Sequence, residues 1–229
     1  MKSVSSFIDV EIEGNAFRMF ADRGLYWPVQ RVLFVADTHL GKDATFRRHG
    51  IAVPAGSTDA TLHAIDRMID ASDASRVVIL GDMFHAKSSL SPSVCQSLET
   101  FFARHPEIKF TLIRGNHDRH VGSLTPAWPI EILEPGEVIE GIILAHEPSD
   151  VPMFASLLLC GHIHPSVRIG SRSDCLGKVA CFWLSKRCLV VPAIGELTGT
   201  HAISPDTGDQ VWLILDDQVI EHCTSRLLR

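Results

Sequence analysis

The stretch Arg31-Val32-Leu33-Phe34-Val35-Ala36-Asp37-Thr38-His39 carries the plan of the whole chain. A run rich in β-branched and aromatic residues has the length of a buried strand, and a polar cluster follows it at once. The same phrase returns four times. Residues 76–80 (Arg-Val-Val-Ile-Leu) lead to Gly81-Asp82, and residues 109–114 (Lys-Phe-Thr-Leu-Ile-Arg) lead to Gly115-Asn116-His117-Asp118. Residues 141–145 (Gly-Ile-Ile-Leu-Ala) lead to His146, and residues 156–160 (Ser-Leu-Leu-Leu-Cys) lead to Gly161-His162-Ile163-His164. Each polar cluster is therefore expected on the loop leaving a strand. In a layered sheet protein such loops meet along one rim, so residues distant in sequence share a pocket.

The residues brought together by this reading are Asp37, His39, Asp82, Asn116, His146, His162 and His164. Carboxylate, amide oxygen and imidazole form a ligand set for divalent metals. A single catalytic zinc needs about three protein ligands and an open position, so seven side chains point to two ions. Asp82, with two oxygens, is the natural bridge. Asp37, His39 and His164 then fall to one ion, and Asn116, His146 and His162 to the other. Paired ions roughly 3.5–4 Å apart clamp the attacking and leaving oxygens of an in-line phosphoryl displacement. The expectation is a two-metal hydrolase.

The series Asp-x-His, Gly-Asp, Gly-Asn-His-Asp, His, Gly-His-x-His resembles the calcineurin-like metallophosphoesterase superfamily. A finer likeness lies in residues 36–42 (Ala-Asp-Thr-His-Leu-Gly-Lys), 44–48 (Ala-Thr-Phe-Arg-Arg) and 53–56 (Val-Pro-Ala-Gly). Together with residues 181–184 (Cys-Phe-Trp-Leu) and 189–195 (Leu-Val-Val-Pro-Ala-Ile-Gly), they are similar to the bacterial ligase-associated DNA damage response endonucleases, the PdeM type. Thr38 departs from that group, which usually carries an apolar or larger residue there, but it is not a ligand position. The resemblance implies a four-layer αββα sandwich, a mixed α/β fold, and two divalent ions, with manganese foremost and iron or zinc as alternatives. It also implies a DNA substrate and, among possible partners, a DNA ligase and other repair proteins.

Within this resemblance His117 would face the scissile phosphate and protonate the leaving oxygen, and Asp118 would orient the His117 ring. Lys42, Arg47, Arg48 and His85 are candidates to hold substrate phosphates, and Arg114 and Arg119 add charge around the third strand. The alternative is a small-molecule phosphoesterase acting on a nucleotide, cyclic nucleotide or lipid diphosphate. A third reading is a non-catalytic interaction module of the same fold, which the intact ligand series disfavours.

Composition agrees. The chain has 229 residues, 45% hydrophobic and 21% charged, and no linker or repeat divides it, so one domain over 1–229 is expected. The N-terminus meets acidic residues before any apolar h-region, and no apolar run approaches the ~20 residues of a membrane span. A cytoplasmic protein without membrane contact is expected. The net charge of −6 opposes tight duplex binding, since DNA affinity rests on phosphate neutralisation. Two divalent ions would offset four of those charges locally. None of the six cysteines forms a C-x-x-C pair, and free thiols are expected in a reducing compartment. Cys181 and Cys188 are placed to face each other across a hairpin.

Residues 6–20 alternate and turn at Gly14-Asn15, reading as a hairpin. Residues 58–71 carry Leu62, Ile65, Met68 and Ile69 at helical spacing with Ser57-Thr58 as N-cap. Residues 92–104 form a second predicted helix, capped by Ser91 with Pro92 at its first position. Residues 211–215 and 218–222 read as a closing hairpin across Asp216-Asp217.

Overall fold

The computed structural model describes residues 6–122, 124–170 and 175–222, with the side chains of Cys175 and Leu176 left aside. The N-terminal segment 1–5 and Cys223 lie outside the described residues. The chain opens as an antiparallel meander of β1 (Phe7–Ile12), β2 (Asn15–Phe20), β3 (Leu25–Trp27) and β4 (Val32–Val35). Helices α1 (Lys42–Arg48) and α2 (Ser57–Asp70) then carry it to β5 (Arg76–Leu80), and α3 (Pro92–Arg104) carries it to β6 (Lys109–Ile113), with β7 (Ile130–Leu133) at the edge. Strands β4 to β7 are parallel and complete a seven-stranded sheet in sequence order.

A second sheet holds β8 (Glu137–Ile139), β9 (Ile142–Leu144), β10 (Leu157–Cys160), β11 (Pro165–Gly170), β12 (Cys175–Ser185), β13 (Cys188–Val190) and β14 (His201–Ala202). The closing hairpin of β15 (Gln210–Leu215) and β16 (Gln218–His222) joins it beside β12. Here β9, β10 and β13 run parallel. Apart from Arg76, Lys109 and the buried Thr111, the inner parallel strands β4, β5, β6, β9, β10 and β13 are apolar because both of their faces are covered, while the edge strand β7 is partly exposed. Leu33, Val35, Val77, Ile79, Phe110 and Leu112 meet the helices. Their neighbours Phe34, Val78, Leu80 and Ile113 meet Ile142, Leu144, Leu157, Leu159 and Phe182 of the second sheet.

Three sequence expectations change. Helix α2 starts one residue earlier, after Gly56 at φ 100°, with no side-chain cap. The Thr58 hydroxyl instead accepts from the Gly41 amide at 3.0 Å, tying α2 to the start of α1. The fourth layer is loop rather than helix among the described residues: Ala155 and the flanking Val151 cover the outer face of β9 and β10. Pro148 and Pro152, four apart in the β9–β10 crossover, each remove a helical N–H donor. Arg187 fastens this crossover by donating to the Ala155 carbonyl at 2.6 Å and the Val151 carbonyl at 2.8 Å. Its reach comes from a two-residue β12–β13 turn in which Lys186 and Arg187 are both left-handed, φ 47° and 63°. Finally, Cys181 does not face Cys188. Cys181 pairs with Leu213 in the sheet, and the thiol near Cys188 is that of Cys160, at 3.6 Å. The four cysteines whose side chains are described, Cys95, Cys160, Cys181 and Cys188, are free thiols. Among the described residues no helix is long and apolar enough to cross a membrane.

Candidate metal centre

All five polar clusters lie at the C-terminal ends of parallel strands: β4, β5 and β6 in one sheet, β9 and β10 in the other. The rims are joined by residues 191–195 after β13. Ala193 bridges to Ala36, the Ile194 amide donates to the Ala36 carbonyl at 3.0 Å, and Gly195 donates to that of Asp37 at 3.2 Å. Two donor groups result. Ligand atoms of Asp37, His39 and His164 lie within 4.8 Å of one another, as do those of Asp82, His146 and His162. Asn116 joins the second group, its Oδ1 2.9 Å from His146 Nε2. The groups share a wall, with Asp37 Oδ1 3.9 Å from the His146 ring.

The backbone is bent to make this possible. Asp37, His39, Asp82, His162 and His164 all have positive φ, between 42° and 69°. Non-glycine residues rarely adopt this region, and a cluster of them stores conformational strain of order ~1–3 kcal/mol each. The glycines ahead of three ligands have a different reason. A Cβ on Gly81 would land on the His146 ring, one on Gly115 on Asp82, and one on Gly161 on Asp37. Each Gly-ligand pair therefore exists because a ligand from another loop occupies the space of the missing side chain.

Each aspartate uses one oxygen as a staple and presents the other. Asp37 Oδ2 accepts from the His162 amide at 2.8 Å, leaving Oδ1 3.3 Å from His164 Nε2 and without a hydrogen-bond partner. Asp82 Oδ1 accepts from the His117 amide at 2.9 Å, leaving Oδ2 3.4 Å from His146 Nε2. Of the two Asp82 oxygens, Oδ2 is the one that faces the His146 and His117 rings. Carbonyls set the rings. His146 Nδ1 faces the Leu80 carbonyl at 3.0 Å and His164 Nδ1 faces that of Gly199 at 3.0 Å. With Nδ1 donating, each Nε2 turns a lone pair toward carboxylate oxygen, and His146 Nε2 also meets His162 Nδ1 at 3.1 Å. Lone pairs facing one another are relieved by a cation between them or, without one, by a proton on a ring nitrogen.

Electrostatics agree. Burial pushes the His146 imidazolium down, but its bond to Asp82 and the charges of Asp37 and Asp82 outweigh this and raise its pKa to about 9. Burial also opposes the Asp82 carboxylate, yet bonds from His146 and His117 hold it below the usual range. His39 goes the other way, lowered to about 3 by burial and by the Lys42 charge, so its ring is neutral. His39 Nδ1 is buried with no partner among the described residues. Concentrated negative charge, neutral imidazole and orphaned donor atoms fit divalent cations.

Around this core the catalytic and substrate candidates separate. His117 Nδ1 is 2.8 Å from the His85 carbonyl, and its Nε2 looks into the site, 3.9 Å from Asp82 Oδ2. The His85 ring stacks on it at 5.0 Å and 27°. Asp118 does not orient the His117 ring. Its oxygens accept from the Gly115 amide at 2.9 Å and the Phe84 amide at 3.3 Å, so it shapes the two loops instead. Burial lifts the Asp118 pKa above the ordinary range despite those bonds. Burial holds the pKa of the half-buried Lys42 below the usual lysine value, against the opposing pull of the Asp37 and Asp82 charges. Arg47 is committed elsewhere, to Asp43 at 3.0 Å and the Pro54 carbonyl at 3.3 Å, and Arg48 is exposed at the far end of α1.

Residues that sequence reasoning missed act through their backbone or pack the loops. Gly199 and Leu80 orient ligand rings through carbonyls, which no side-chain pattern announces. Thr38, outside the ligand set, is buried and donates to the Met83 carbonyl at 2.9 Å, lacing the first loop to the second.

The profile of the calcineurin-like phosphoesterase family matches residues 30–169, the segment that contains every ligand. The chain belongs to this family. Among solved structures this phosphoesterase is similar to the nuclease MPE of Pseudomonas putida, with 32% identity, a TM-score of 0.82, and coverage of 95% of this chain and 100% of that one. No curated protein matches the phosphoesterase.

Proposed function

We propose that the protein is a dinuclear metal-dependent phosphodiesterase that cuts DNA, a nuclease serving repair. The observation that carries this reading is the meeting of two three-residue donor groups at one wall, with His117 Nε2 beside them. The nuclease neighbour supports the substrate class, and the resemblance to ligase-associated endonucleases supports the repair role. Bound divalent ions, manganese first with iron or zinc as alternatives, would supply Lewis acidity toward phosphoryl oxygens and a nucleophile at neutral pH.

The chain's own residues do the rest. Asp37, His39 and His164 would hold one ion and Asn116, His146 and His162 the other, with Asp82 as the ligand common to both. His117 in its protonated form carries a proton at Nε2 for the leaving oxygen, because Nδ1 is held by the His85 carbonyl. His85 stacks on the His117 ring and would border the substrate with it, its own Nδ1 being buried without a partner among the described residues. Lys42 balances charge at the mouth.

The test is a substrate panel with manganese: bis-p-nitrophenyl phosphate, p-nitrophenyl phosphate, single-stranded DNA and duplex DNA. Cleavage of the diester and of DNA, abolished by chelation and restored by manganese, is expected. Hydrolysis of small esters with no polynucleotide cut would replace the nuclease with a small-molecule phosphoesterase, and no hydrolysis at all would favour the interaction module.

A further inference from the structure

The ring of His117 is fixed by a peptide group whose other end is also held. His117 Nδ1 lies 2.8 Å from the His85 carbonyl. That carbonyl shares one trans peptide unit with the Ala86 amide, so the two point in opposite directions. The Ala86 N–H donates to Ser89 Oγ at 3.2 Å, and the Ser89 amide donates back to the Ala86 carbonyl at 2.9 Å. Ser89 therefore closes the single turn Lys87–Ser89 directly behind the peptide that His117 uses.

Helix α1 anchors this turn from the other side. Thr45 Oγ1 lies 3.0 Å from Ser88 Oγ and 3.3 Å from Ser89 Oγ. Both Thr45 and Ser89 are buried, so their hydroxyls must find partners inside the protein. Gly41, just ahead of α1, passes so close that a Cβ there would collide with the Ser89 carbonyl. One residue beyond Thr45, the Phe46 ring meets the His85 ring edge-on, with centroids 6.2 Å apart. The hydroxyls and the peptide form one series that runs from Thr45 through Ser89 and the Ala86–His85 peptide to His117.

Hydrogen bonds in series polarise one another, so a peptide engaged at its N–H is a better acceptor at its carbonyl. The proton-bearing nitrogen of a histidine is set by the bond that the other nitrogen makes. A carbonyl can only accept, so the His85 carbonyl commits Nδ1 to donate and leaves Nε2 to face Asp82. We infer that Ser89, supported by Thr45, is a positioning residue for His117. It holds the His85–Ala86 peptide so that the His117 ring stays turned with Nε2 toward the leaving oxygen. The inference rests on the proposed role of His117 as proton donor and deepens it. Ser89 acts through the peptide and not on the substrate.

The experiment uses the manganese-loaded full chain and two aryl diesters, diphenyl phosphate with a poor leaving group and bis-p-nitrophenyl phosphate with a good one. Ser89→Ala should lower kcat for diphenyl phosphate roughly five- to tenfold, the scale of one hydrogen bond, with KM and manganese content unchanged. The loss on bis-p-nitrophenyl phosphate should be smaller, because nitrophenolate scarcely needs the proton. In a His117→Asn background Ser89→Ala should cost nothing further, since residues that act as one unit are not additive. Thr45→Val should show the same leaving-group pattern at smaller amplitude, and Thr45→Ser should retain wild-type kinetics. This second pair decides the matter where Ser89→Ala fails to fold. Equal loss on the two diesters, unchanged kinetics in both Ser89→Ala and Thr45→Val, or losses additive with His117→Asn would each overturn the positioning role while leaving the phosphoesterase standing. A wild-type protein that hydrolyses neither diester with manganese would overturn the phosphodiesterase reading itself.

Discussion

At the scale of single residues, the centre depends on atoms that each do two things. Asp37 and Asp82 staple a neighbouring loop with one oxygen and present the other. Their side-chain identity was legible because a strand followed at once by Asp-x-His or Gly-Asp has few structural explanations. The left-handed backbone at five of the ligands was not legible, since it is imposed by loops that are distant in sequence. The glycines give a direct check. Gly115→Ala puts a Cβ against Asp82, so the variant should fold yet bind less than its full manganese complement, measured by metal analysis after gel filtration. Full loading with wild-type affinity would show that the loops can yield. His117 gives another. His117→Asn should keep both ions and lower turnover on poor leaving groups by roughly a hundredfold or more, with a smaller loss for nitrophenolate. An equal loss on both substrates would assign His117 to positioning.

Between elements, the strands and the two long helices were readable from period alone, because α2 and α3 bury one stripe and the parallel strands bury both faces. Helix α1 was not, as its seven residues begin at Lys42 with mixed polarity and depend on the Thr58 and Asp43–Arg47 contacts for their place. The loop in place of a fourth helical layer was likewise hidden, because Arg187 recognises carbonyls and not side chains. Packing of α2 on α3 includes a polar contact in which Asp66 receives Arg104 and, at 2.7 Å, His105 Nε2. Burial raises the Asp66 pKa, but the His105 bond and the Arg104 charge prevail and the net shift is downward. A lowered folded pKa means the contribution is fully present above the ordinary Asp value near 4 and is lost as pH falls through the folded value. Asp66→Asn should therefore cost about 1–3 kcal/mol in urea unfolding at neutral pH. The gap to wild type should close under acid conditions. A gap independent of pH would mean that shape, not charge, is what Asp66 supplies.

For the whole molecule, the centre is the place where two sheets packed face to face are tied at their rims. Ligands come from three strands of one sheet and two of the other, and the Ala36–Ala193 bridge is the backbone counterpart of that tie. A chain with net charge −6 gathers buried carboxylates at this seam, so cations bound there relieve repulsion and link the sheets together. Ligands that bind only the folded state stabilise it by about 2.7 kcal/mol at a hundred times their Kd. For a protein of this size that corresponds to a Tm rise of roughly 5–10 °C. Manganese should therefore raise Tm in calorimetry, chelation should reverse the rise, and Asp82→Ala should abolish most of it if Asp82 is, as proposed, the ligand common to both ions. Arg119→Ala, whose side chain lies in the wall of a cavity beside Asn116 and His146 and outside both donor groups, should keep the full rise. A manganese effect that survived in Asp82→Ala would mean that each donor group holds its ion independently, and the assignment of Asp82 as the shared ligand would fall.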